Sequence, residues 1–276
     1  MADIVTSPET IEKKLPLRAR IGIYVYPTAT ALFIFIVWEA VTRAGWVSSF
    51  ILPAPSIIIA TSFQNLPLLL EMSATTAAEF LLGFGLSVAI GLPLGALVVY
   101  ARPVELAIYP LLVAFQTLPK AAIAPIFIVW LGTGITSKVL IAFSIAFFPI
   151  VIDTVVGLRS AQPETIHLVR SMGGSPFQVF WYVRFPNALP AIFAGLKVAS
   201  TLAVVGAIVG EFVSSDRGLG YLVLVANGEL KTPLVFACVL TLTVLGIIFY
   251  FFVEQLEKFV VRWHVSSRQI ETVGTY

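Results

Sequence analysis

Several ionisable side chains interrupt long apolar stretches of this chain: Glu39, Glu79, Lys120, Asp153 and Glu211. An unpaired charge at the centre of a bilayer costs at least about 2.5 kcal/mol, so such groups snorkel to the interface, pair, or line a polar pathway. Gln116 and Thr117 precede Lys120 by one helical turn and add hydrogen-bonding capacity beside it. Pro119 and Pro125 flank Lys120 and free backbone carbonyls, which at membrane depth need water or protein around them. Gln116, Thr117 and Lys120 are therefore the candidate pathway lining, with a helix–helix hydrogen bond as the alternative for Gln116 and Thr117. Glu79 and Glu211 fall in the same half of the membrane as Lys120, so an ion pair from Lys120 to either one is the expected outer gate. Bond-breaking chemistry has no apparatus here. The sequence holds no GxxxxGK[ST], HExxH or GxSxG, and its histidines, His167 and His264, lie outside the apolar stretches. The single cysteine, Cys238, sits in an apolar run, which excludes an intrachain disulfide and a cysteine metal cluster; no metal site is expected.

The elements that must position these groups are membrane helices. Hydrophobic residues make up 58% of the 276 and charged residues only 12%, about half the charge of a soluble domain. The net charge of +2 is too small to imply nucleic acid. Apolar windows place six spans near Gly22–Thr42, Ala74–Tyr100, Val104–Leu131, Lys138–Leu158, Leu189–Phe212 and Thr232–Glu254. The first is too long for a signal-peptide core and lacks a cleavage site, so it is expected to stay as a span. Pro93, Pro110, Pro119 and Pro125 favour bending of the second and third. LPAPSIIIATS at Leu52–Ser62 predicts a short amphipathic helix on the outer surface. Gly91 and Gly95, and Gly206 and Gly210, form GxxxG pairs that let helices approach closely. The expected plan is an all-α membrane protein with one domain over 22–256, between an N-terminal tail at 1–21 and a C-terminal tail at 257–276.

Lysine and arginine set the orientation. With the N-terminus inside, positions 13, 14, 18, 20, 102, 159, 170, 184, 258, 262 and 268 are inner, whereas Arg43, Lys138, Arg217 and Lys231 are outer. The positive-inside rule then puts both termini and the 159–188 loop in the cytoplasm.

That loop reads as two short helices. Pro163 and Glu164 suit a first helical turn, and Ile166, Val169 and Met172 share a face, with His167 and Arg170 off it. Gly173 and Gly174 can stop this helix in the left-handed conformation. Ser175, Pro176 and Gln178 restart one with a capping box, and Pro186 and Pro190 are expected to end it and turn the chain back into the membrane. A helical knob with an apolar ridge fits a groove on a partner.

Gly173, nine residues, then Val183-Arg184-Phe185-Pro186 resembles the cytoplasmic loop of ATP-binding-cassette (ABC) importer permeases, whose pattern is EAA, three residues, Gly, nine residues, Ile-x-Leu-Pro. The EAA positions here hold His167, Leu168 and Val169. LPAPS at Leu52–Ser56, QTLPKAAIAPIFIVWLGTG at Gln116–Gly134, FFPI at Phe147–Ile150, GEFVSSDRGLGYL at Gly210–Leu222 and RWH at Arg262–His264 look like the nitrate/sulfonate/taurine branch. The resemblance implies a type I ABC importer permease bundle and a coupling loop using Glu164, His167, Arg170, Ser171, Gly173, Gly174, Ser175, Val183 and Pro186. It implies a homodimer in a bacterial or archaeal inner membrane, two ATPase subunits that hold ATP and Mg, and no cofactor in this chain. An extracytoplasmic binding protein would deliver the solute near Gly218–Gly220. QTLPK and GAIVGEF look closer to permeases for pyrimidines, thiamine precursors or other small aromatic solutes. The competing class is a secondary transporter driven by an ion gradient, which commonly shows inverted repeats and mid-membrane acids; no repeat is evident here.

Overall fold

A computed structural model describes residues 17–261, with side chains from Val25 onward. The tails expected at 1–21 and 257–276, with Lys13, Lys14, Arg268 and the Arg262–His264 stretch, fall outside the described residues except for 17–21 and 257–261.

Every regular element described is helical: α1 (Leu17–Arg43), α2 (Pro55–Gln64), α3 (Leu66–Tyr100), α4 (Arg102–Gln116), α5 (Lys120–Leu131), α6 (Ile135–Arg159), α7 (Pro163–Ser171), α8 (Pro176–Val179), a π turn (Phe180–Arg184), α9 (Phe185–Val213), α10 (Leu219–Gly228) and α11 (Thr232–Val260). Five helical stretches are long and apolar enough to cross a membrane, and α4 with α5, bent at their break, makes a sixth if the pair is counted as one span. The end of the bundle carrying 159–185 is called the loop end here, the other the far end.

Helix α6 is the central post, packed against α3 on one side and α9 on the other. Small residues make that closeness available. A Cβ at Gly83 of α3 would stand 2.6 Å from Ala142 Cβ, and one at Gly206 of α9 would stand 2.5 Å from Ala142 Cα. Gly95 likewise meets Thr154, and Gly210 meets Lys138. Both GxxxG pairs therefore serve contacts inside the chain, where the driving force is close van der Waals packing. Phe80, Ile150, Ile192, Val204 and Phe249 continue the core among α3, α6, α9 and α11. Helix α1 lies at the periphery with Phe33, Phe35 and Ile36 exposed. Its Glu39 carboxylate holds the start of α2, accepting from Ser56 N–H at 3.0 Å and Ser56 Oγ at 2.6 Å, and pairs with Arg43 at 2.6 Å.

Three expectations about the backbone need correction. The span expected as one bent helix over Val104–Leu131 is broken, with α4 and α5 at 102°. Pro119 cannot donate to the turn before it, and the chain re-forms its bonds locally: Thr117 Oγ1 donates to Ala114 O at 2.7 Å and Lys120 Nζ to Gln116 O at 2.7 Å. The second correction concerns Pro186 and Pro190, which do not turn the chain. Phe185 N–H reaches back to Phe180 O across the π turn, and Pro186 then occupies the first turn of α9, where a missing N–H is tolerated. The result is one helical run from Pro176 to Val213, 38 residues long. Third, Gly218-Leu219-Gly220 is not open loop surface. Leu219 and Gly220 begin α10 and are buried against α3, α9 and α11.

Candidate functional site

At the loop end, α7 closes with the glycine cap expected of it. Gly173 has φ +85°, its N–H donates to Arg170 O at 3.0 Å, and Gly174 N–H donates to Val169 O at 2.9 Å, the paired bonds of a Schellman motif. A side chain at Gly174 would stand 2.6 Å from Val169 Cγ1, so this position is also sterically closed. Ser175 and Gln178 form the capping box reciprocally: Gln178 N–H donates to Ser175 Oγ and Ser175 N–H to Gln178 Oε1. Ser175→Ala is expected to loosen α8 by about 1 kcal/mol, read as faster amide exchange over 176–184 with the spans unchanged.

This frame presents side chains outward. Leu168, Met172 and Phe177 are exposed, Met172 to 79%, whereas Ile166 and Val169 turn inward and are half-buried. Ile166, Val169 and Met172 were expected to share one apolar face, but Met172 caps the helix and points out while the other two do not. Glu164, His167 and Arg170 are exposed, Ser171 Oγ donates to Leu168 O, and Val183 and Pro186 are half-buried where the knob joins α9. Behind the knob are two cavities of ≈ 340 and ≈ 320 Å³, both lined by Arg170 and Arg184.

The far end holds a buried charge cluster whose members come from four elements. Lys138 Nζ of α6 lies 3.1 Å from Glu79 Oε1 of α3 and donates to Ser215 Oγ at 2.6 Å. Glu79 Oε2 is buried without a hydrogen-bond donor and lies beside the Glu211 carboxyl of α9. Glu211 accepts from Thr76 Oγ1 at 2.6 Å and from the Gly220 N–H of α10, while Leu219 N–H donates to Thr76 Oγ1 at 2.9 Å. Gly218, at φ +106°, packs on the same carboxylate, and any side chain there would overlap it. The cluster thus ties α10 and the 214–218 loop to the three central helices.

The expected partnership of Lys120 with Glu79 or Glu211 is therefore corrected: Glu79 pairs with Lys138, the residue taken as an outer-loop cation. Helix α6 starts at Ile135, so Lys138 already lies one turn inside it and is 4% exposed. Lys120 stands at the α4–α5 break, 4.8 Å over the Phe148 ring. Gln116 and Thr117 are exposed on the same break. A second buried pair also escaped the sequence reading: Lys197 of α9 meets Glu257 of α11 at 2.7 Å. Its signal was a lysine in mid-span facing an acid that had been assigned to the tail.

These features can be set beside known proteins. Residues 87–262 match the family of binding-protein-dependent transport system inner membrane components. The chain is 40% identical to the riboflavin transport system permease protein of Chloroflexus aurantiacus, covering 86% of this chain and 89% of that one. It is 36% identical to the formylaminopyrimidine transport permease protein of Halalkalibacterium halodurans, over 86% and 95%. Against the putative aliphatic sulfonates transport permease protein of Bacillus subtilis it is 32% identical, over 95% of each chain. The fold matches a chain of the MetNI methionine ABC transporter in an inward-facing conformation, with a TM-score of 0.59 and 21% identity, over 72% of this chain and 97% of that one. The chain belongs to the family of binding-protein-dependent transport system inner membrane components, as a multi-pass ABC importer permease of the type I fold.

Proposed function

We propose that two copies of this chain form the membrane pathway of an ATP-driven importer, with an ATPase subunit docked on each knob and an extracytoplasmic binding protein at the far end. ATP and Mg belong to the ATPase subunits. The lysine and arginine distribution supports a cytoplasmic loop end and cytoplasmic termini. The observation that carries the reading is the knob: an apolar ridge of Leu168, Met172 and Phe177, exposed to water on a scaffold fixed by a Schellman cap and a capping box. Exposed apolar side chains on a rigid frame fit a groove on a partner.

The proposed cargo is a planar nitrogen heterocycle rather than an alkyl sulfonate. Two of the relatives are permeases for riboflavin and formylaminopyrimidine. At the α4–α5 break the groups offered to a solute are Gln116, Thr117 and Lys120 next to the Phe148 ring, a set suited to stacking and single hydrogen bonds.

Gly173→Pro tests the coupling role. Proline cannot adopt φ +85° and removes the N–H that bonds Arg170 O, so uptake is expected to fall to background while the spans still assemble. Solute-stimulated ATP hydrolysis by the co-purified complex should fall with it. Full uptake by Gly173→Pro, or a chain that purifies without an ATPase and transports on an ion gradient, overturns the reading.

A further inference from the structure

Arg170 and Arg184 are cations that the ion-pair network of the loop end leaves out. Arg102 and Arg159 share Glu105, at 2.8 and 2.6 Å, Lys197 holds Glu257, and Lys258 holds Glu254. Among the described residues no carboxylate lies within ion-pair distance of Arg170 or Arg184. Both nevertheless line the ≈ 340 Å³ cavity, between the knob and the end of α3.

The remaining walls of that cavity are mainly apolar: Ala96, Val99 and Tyr100 from the last turns of α3, and Val179 and Phe180 from the knob. Helix α3 is a membrane span that ends at Tyr100, a residue 65% exposed. Apolar walls with an aromatic at the rim mark the depth where hydrocarbon gives way to headgroups. A guanidinium presents paired N–H donors to phosphate oxygens, and basic pockets between spans are suited to phosphate headgroups.

We propose that this cavity holds the phosphate headgroup of an anionic phospholipid, gripped by Arg170 and Arg184, with its chains along the end of α3. The proposal rests on the membrane reading above and goes beyond it in naming a ligand. A docked protein is the less apt source of the anion. The exposed ridge of Leu168, Met172 and Phe177 is the face open to a partner, whereas the cavity lies behind it, against α3 and the buried Val179. Occupied, the site would bridge a spanning helix to both helices of the knob and fix the angle at which the ridge is presented.

The experiment uses the complex as it purifies, exchanged into nanodiscs of phosphatidylcholine with and without phosphatidylglycerol, then released and weighed by native mass spectrometry. The wild-type chain is expected to retain phosphatidylglycerol, and R170Q/R184Q to retain it on the order of tenfold less. R102Q, which removes a cation of the same end held by Glu105, should retain it as the wild type does. Should the glutamine variant fold poorly, R170K/R184K keeps the charges but loses the forked donors, and weaker retention is again expected. Undiminished retention by the double variant overturns the proposal. So does loss of the co-purifying ATPase from that variant in lipid-free detergent, which would assign the arginines to a protein partner. The lipid test reads retained lipid rather than uptake or ATP hydrolysis, so a failed coupling test at Gly173 and a failed lipid test remain separate results.

Discussion

Lys138→Met is expected to leave little folded protein, with a melting temperature in detergent lower by on the order of 10 °C. Lys138 is the cation of a site holding two carboxylates, Glu79 and Glu211, each 1% exposed. Removing one member of a buried ion pair costs about 3–5 kcal/mol, because the charge left behind has neither water nor partner. The loss should be partly reversed by Glu79→Gln in the same chain, which removes a negative charge while leaving a side chain of the same shape. Lys120→Met provides the contrast. Among the described residues Lys120 holds Gln116 O and the Phe148 ring and no carboxylate, so its loss should leave the melting temperature near wild type and act on uptake. Fluorescence-detected size exclusion with a temperature ramp reads all four chains. A Lys138→Met protein that melts with the wild type would remove the ion pair from the forces that hold the far end.

Gly206→Ala is expected to be nearly as damaging, although it adds one methyl group. The new Cβ would lie 2.5 Å from Ala142 Cα and 3.2 Å from Ala142 N, so backbone rather than a rotatable side chain must move. Overpacking of this kind costs about 1–3 kcal/mol when side chains can adjust, and α6 is wedged against α3 on its other side. Gly83→Ala meets the same residue differently, 2.6 Å from Ala142 Cβ. Ala142→Gly should therefore rescue Gly83→Ala in part and leave Gly206→Ala unrescued. Equal rescue of both would mean that α6 shifts as a body, and that the contact geometry does not set the cost.

The helical plan and the knob were legible because both are written in local chemistry. Long apolar runs gave the spans, and Gly173, Ser175 and Gln178 act within a few residues of their own backbone. The far-end cluster was legible only as an inventory. Glu79 and Glu211 stood out as charges in apolar runs, but the choice between Lys120 and Lys138 depended on where α6 begins, and a shift of three residues carried Lys138 from loop to core. Pro119 signalled a disturbance without saying whether the helix would bend or break, since that depends on whether Lys120 and Thr117 can satisfy the freed carbonyls. Pro186 and Pro190 misled for the opposite reason. A proline ends a helix when nothing relieves the register; the π turn at Phe180–Arg184 relieves it at Pro186, and α9 carries Pro190 within it. Helix α10 looked like loop because its glycines are there to admit the Glu211 carboxylate, a contact made across nine residues and a change of direction.

The unbroken run from Pro176 to Val213 gives the two ends of the molecule a shared mechanical member. At about 1.5 Å per residue it is a shaft of roughly 55 Å, with the capping box of the knob at one tip and Glu211 close to the other. A shaft held near its middle by α6, where a Cβ at Gly195 would stand 2.7 Å from Asp153 Cβ, behaves as a lever with a fulcrum. A tilt of about 5° imposed on the knob displaces the opposite tip, roughly 27 Å from that fulcrum, by about 2 Å in the opposite direction. The Glu211 contacts with Thr76 and Gly220 are short-range and directional, and would be the first to register such a stroke.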